Sequence, residues 1–171
     1  MGEWPANCTN IQNKTRMSTL VVLAESLQHL YHGDPWLDVT FLEHLQDMTA
    51  EEAGRRFNTS HNTWELVNHL IFWHQNVTRK LHGEKPEQDG DLPDFYYPEN
   101  HGENNWQATL HRLEHSITTM VETIRNFPEE KLWTNVPNTQ HNAYYYIQGV
   151  LQHACYHLGQ IVLLHKYAEK G

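Results

Sequence analysis

Within the stretch LQHACYHLGQIVLL, Leu151 to Leu164, His153 and His157 stand one helical turn apart. A neutral imidazole offers a lone pair to a metal ion. Side chains four apart on a helix have Cβ atoms about 5–6 Å apart. Both rings can therefore reach one ion at the ~2.0–2.1 Å of a Zn–N bond. Spacing alone is not specific, because 14 histidines in 171 residues make about one H-x-x-x-H pair expected by chance. A second pair with the same spacing, His111 and His115, is present.

The elements that carry these pairs separate them. Four segments have helical periodicity: Thr15 to Tyr31, Thr63 to His82, Asn104 to Asn126 and Tyr144 to Ala168. The second has Leu66, Leu70, Trp73, Val77 and Leu81 on one face and a natural stop at Gly83. On the third, the stripe through Trp106, Leu110, Leu113, Ile117 and Ile124 leaves His111 and His115 nearly opposite, toward solvent. On the fourth, Ile147, Val150, Leu151, Ala154, Leu158, Ile161 and Val162 form the stripe. His153 and His157 fall on its shoulder, at the margin of a core.

Between the first two helices, PWLDVTFLEHLQDMTAEEAGRRF reads as an irregular piece and one short helix, opened by the capping-box pattern Thr49-Ala50-Glu51-Glu52. GEKPEQDGDLPDFYYPEN, rich in Pro, Gly and Asp, reads as a long loop, a crossover or a lid. Four amphipathic helices without a strand set predict an all-α four-helix bundle. It is expected to be one domain over residues 1–171, with 1–16 as a flexible N-terminal tail.

A catalytic metal usually has three protein ligands and an open position. The second helix offers His69 and His74 on opposite shoulders of its stripe, and His82 beyond them. Phase does not choose between His69 and His74.

Composition narrows the partners. A net charge of −9, with histidines neutral and no Lys/Arg cluster, disfavours nucleic acid. No apolar run approaches the ~18 residues of a membrane span. The N-terminus lacks a basic stretch followed by an apolar one, so no signal peptide is expected. The two cysteines, Cys8 and Cys155, do not suggest a disulfide framework and fit a reducing, cytoplasmic setting.

NHLIFW (Asn68 to Trp73) together with LQHACYHLGQI (Leu151 to Ile161) resembles the DinB-like superfamily, four-helix bundles of the YfiT type. The fairly specific H-x-x-x-H-x-G-Q form is intact, TWELVNHL resembles the family's entry into the second helix, and the likeness runs from about Ser18 to Tyr167. The resemblance implies a divalent metal bound by His69, His153 and His157. It thereby selects His69 over His74. It also implies at least one long crossover, and chemistry of either a hydrolase or a transferase using a low-molecular-weight thiol. Zinc or nickel is the first expectation for the ion, and iron or manganese the next. A homodimer is a family expectation too.

Other residues have a functional and a plainer reading. Glu65, one turn before His69, could orient a ligand, act as a base or point into solvent. Gln160 could hydrogen-bond beside His157 or serve packing. Trp73 could wall a pocket, although core packing is simpler. Phe95, Tyr96 and Tyr97 could form a lid or merely tuck the loop down. Of Tyr144, Tyr145 and Tyr146, only one or two can face inward. Cys155 points away from both histidines and reads as a buried apolar residue. The remaining histidines, His61 and His141 among them, read as surface or packing residues.

Three functions compete: an enzyme acting on a small molecule, a metal-binding bundle without turnover, and an interaction bundle without metal. The first requires an open pocket at the histidines. The second predicts that the ion is walled off, and the third would be supported if His69 lay far from the pair.

Overall fold

The computed structural model describes residues 17–57 and 61–168. The expected tail, Cys8, and the first two residues of the expected first helix lie outside them. Among the described residues there are six α-helices and no strand. They are α1 (Thr19–Tyr31), α2 (Phe41–Leu45), α3 (Ala50–Gly54), α4 (Thr63–Leu81), α5 (Glu103–Arg125) and α6 (Ala143–Ala168). No helix among the described residues is long and apolar enough to cross a membrane.

The four long helices form the expected bundle. Both α4 and α1 pack on α5 and on α6, so α1 and α4 lie across the bundle from each other. The apolar stripes meet in a core that includes Leu27, Leu70, Leu113, Ile117, Ile147, Leu158 and Ile161. At one end Trp64 and Trp106 are fully buried, with ring centroids 5.1 Å apart. Trp64 Nε1–H donates to Thr109 Oγ1 at 3.0 Å and Trp106 Nε1–H to the Met48 carbonyl at 2.6 Å. Neither indole leaves an unpaired donor in the core.

Where one short helix was expected, there are two. Thr40 and Glu43 form a reciprocal capping box on α2, and Thr49 and Glu52 form the expected one on α3. A third such box, Asn62 with Glu65, starts α4. It satisfies orphan N–H groups at the helix entrance and so fixes the start of the helix that carries His69. At the other end, His82 is the C-cap and Gly83 follows at φ +78°, where a side chain would be strained.

The loop between α4 and α5 is fastened to the bundle. The Arg79 guanidinium makes a two-pronged pair with Asp91, at 2.5 and 2.8 Å, and also donates to the Pro86 carbonyl at 2.9 Å. Asn68 Nδ2 donates to the Tyr96 carbonyl at 2.8 Å. Tyr97 packs against Gly54, where a Cβ would collide with the Tyr97 hydroxyl. The loop is thus a strap across α4, the tucked arrangement rather than a free lid.

Candidate metal centre

α4 and α6 are neighbours in the bundle, and their facing shoulders converge. One nitrogen each from His69, His153 and His157 lies within 4.8 Å of the others. His69 Nε2 and His153 Nε2 are 2.8 Å apart. The ring centroids are separated by 4.7 Å (His69 to His153), 4.7 Å (His69 to His157) and 4.4 Å (His153 to His157). His69 and His157 are buried and His153 is half-buried.

Two of the three rings are oriented from outside the cluster. His69 Nδ1 lies 2.5 Å from Asp94 Oδ1. His157 Nδ1 lies 2.6 Å from Gln160 Oε1. A carboxylate only accepts, so His69 carries its proton on Nδ1 and presents a bare lone pair from Nε2. If the Gln160 oxygen accepts likewise, His157 has the same tautomer. His153 Nδ1 is buried and finds no hydrogen-bond partner among the described residues. A contact of 2.8 Å between two imidazole nitrogens needs something between the lone pairs, either an N–H proton carried by one ring or a cation shared by both.

The strap supplies more than Asp94. Phe95 lies face to face with His69, centroids 3.9 Å apart, and on its other side stacks on His61 at 3.8 Å. Its backbone has φ +52°, a conformation that costs roughly 1–3 kcal/mol in a bulky residue and persists where surrounding contacts hold it. The same two-residue step brings an acceptor to Nδ1 of His69 and an apolar plate to its face.

All three imidazoles are pushed toward the neutral form. Burial is the main cause at His69, only partly opposed by Asp94. It is also the main cause at His157. Burial, then the neighbouring His157 and His69, lowers His153 to about 4. Neutral rings keep their lone pairs near pH 7, so donor type, convergence and outer partners all fit a divalent ion.

Glu65 sits elsewhere. Its oxygens take the Asn62 N–H at 2.9 Å and the Arg56 guanidinium at 2.6 Å, and it is buried rather than in solvent. Its link to the cluster is indirect, through His61 at 3.7 Å. His74 is fully buried against α5, with Nδ1 3.1 Å from Ser116 Oγ, and burial lowers its pKa to about 3. His111 and His115 are exposed.

A groove of about 960 Å³ opens onto all three histidines. Trp73 forms part of its wall and leaves 36% of its surface in water, so wall rather than core is its place. Tyr144, Tyr145 and Tyr146 all border it, Tyr145 exposed and the other two half-buried. His141 lines it too, stacked on Tyr145 at 3.9 Å. His61 and His141 were expected to be ordinary surface or packing residues; His141 instead lines the groove, whereas His61 packs on the far face of Phe95. Cys155 is a free, half-buried thiol packed on the core, and burial raises its pKa. Sequence reasoning missed Asp94 altogether, and nothing in QDGDLPDFYY distinguishes it from the other loop acids.

A family model described as the DinB superfamily matches residues 39–161. That stretch contains the three histidines, Asp94 and Gln160, and leaves α1 outside. No curated protein and no solved structure matches the chain.

Proposed function

The chain belongs to the DinB superfamily, and on that premise we propose that His69, His153 and His157 bind one divalent metal ion and that the protein is a metal-dependent enzyme acting on a small molecule. The observation that carries the reading is the position of the cluster at an open groove. A purely structural ion is usually closed in by four protein ligands, often with Cys among them. Here three imidazoles converge and, among the described residues, no thiol joins them.

The donor set suits zinc or nickel first, and iron or manganese next. Such an ion would act as a Lewis acid and would lower the pKa of a water or thiol placed beside it. The chain's own residues have defined tasks. Asp94 and Gln160 fix the tautomer and tilt of His69 and His157. Phe95 shields one face of His69, and Trp73 bounds the space beside His69 and His153. Because Glu65 is committed to Arg56 and to the cap of α4, Asp94 is the carboxylate that touches the cluster.

Hydrolysis of small esters and amides, and thiol transfer to small electrophiles, are the two reaction classes to assay. Each is run with metal-loaded and chelator-stripped protein. Turnover that disappears on stripping and returns on reloading supports the enzyme. Stoichiometric metal with no turnover across both panels supports a metal-binding bundle without catalysis.

A further inference from the structure

The groove has a chemical character of its own. Among the described residues, no Asp, Glu, Lys or Arg lines it. Its walls are aromatic, and Trp73, Tyr145 and Tyr156 leave 36%, 54% and 64% of their surfaces in water. Large apolar rings gathered around one concavity, rather than scattered singly, mark a surface that something covers. Besides the three histidines of the cluster, the polar groups among them are the amides of Gln148, Gln152 and Asn142, the imidazole of His141 and the tyrosine hydroxyls. Lys80 Nζ stands over the ring of Tyr146, 4.9 Å from its centroid, and is engaged there.

We propose that this groove binds a flat, uncharged aromatic molecule whose one donor end meets the three histidines. The donor end rests on the metal reading above; the fit of the uncharged body does not.

Charge decides the class. Against these walls an anion would give up water and find no Lys or Arg in return; an ion on the floor would attract it, so the charge preference is read in the chelator-treated protein. The chain's net charge of −9 adds long-range repulsion. A cation would find no carboxylate on the walls, and the ion held by three neutral imidazoles would oppose it from the floor. A neutral ring system loses little hydration and gains stacking on Trp73, Tyr145 and Tyr156. The side-chain amides can orient a carbonyl or hydroxyl on it.

The test uses three probes that share one ring system: 2-naphthamide, 2-naphthoate and 2-naphthylmethylammonium. Binding to the full chain is measured by calorimetry at physiological salt, as purified and after chelator treatment, with metal content recorded in each sample. In the chelator-treated protein the amide is expected to bind at least about tenfold more tightly than either charged probe. Tyr156→Ala and Tyr145→Ala, both at exposed positions that should leave folding intact, are expected to weaken it about three- to tenfold. Equal or tighter binding of either charged probe, or no saturable binding of the amide, would overturn the proposal. Selective amide binding to protein that never holds metal would uphold the groove's class and remove the metal reading, so the two fail separately.

Discussion

The α5 and α6 helices carry the same motif and put it to different ends. His111 and His115 are four residues apart on α5, as His153 and His157 are on α6. On α5 both rings are exposed, and Glu114, 4.0 Å from His111, is exposed as well. On α6 the pair meets His69 from α4, with Gln160 bonded to His157. The difference is phase against the apolar stripe. A motif on the far side of the stripe has only water for a partner, whereas one on the shoulder faces the next helix. Convergence with a third group, and not the spacing, makes a site.

The largest expected effect comes from removing the residue that α5 lacks a counterpart for. His69→Ala should lower metal affinity by more than the roughly 10–100-fold typical of losing an outer partner, with the helical circular dichroism retained. Unchanged metal content in this variant would put His69 outside the site and make the two pairs more alike than proposed.

Asp94→Asn comes next. It keeps the shape and an acceptor oxygen but removes the charge that polarises the His69 ring. Metal affinity, measured by competition with a chromophoric chelator, should fall about 10–100-fold. No change would mean that the strap only packs against His69.

His74 sharpens the comparison from within α4, since it is a buried histidine outside the cluster. Its folded pKa is about 3, whereas the unfolded chain protonates near the ordinary ~6.5. Below pH ~6.5 the unfolded state therefore takes up a proton that the folded state refuses, and stability falls as pH drops toward 3, by about 1 kcal/mol per unit. Above that window the group contributes no pH dependence. In chelator-treated protein, His74→Gln should flatten the slope of urea-unfolding stability between pH 6.5 and 4, while metal binding at pH 7 persists. An unaltered slope would mean that His74 is not held neutral by burial.

The smallest effect is expected on α5. The double change His111→Ala/His115→Ala should leave metal content unaltered and stability within about 0.5 kcal/mol, as for ordinary surface positions.

The helices were legible because each long one has a continuous apolar stripe, and phase placed His111 and His115 in solvent correctly. Phase could not choose between His69 and His74, because both are shoulder positions. His69 faces α6 and His74 faces α5, and only the packing order of the helices decides which shoulder meets the pair. The resemblance supplied that order. Two features were readable and overlooked. Thr40-Phe41-Leu42-Glu43 repeats the pattern that located α3, and Asn62-Thr63-Trp64-Glu65 marks Glu65 as a cap residue. Asp94 and Phe95 were not readable, since they reach His69 only through the path of a strap fastened by Arg79, Asn68 and Gly54. That path is a tertiary property with no local signature.

The most direct measurement is the metal content of the tag-free protein, purified without added metal, beside the double variant His153→Ala/His157→Ala. Elemental mass spectrometry should find about one equivalent of a divalent metal in the first and almost none in the second, with both folded. Absence of metal from both, with none taken up on incubation, would contradict the account and leave the three imidazoles as a hydrogen-bonded cluster.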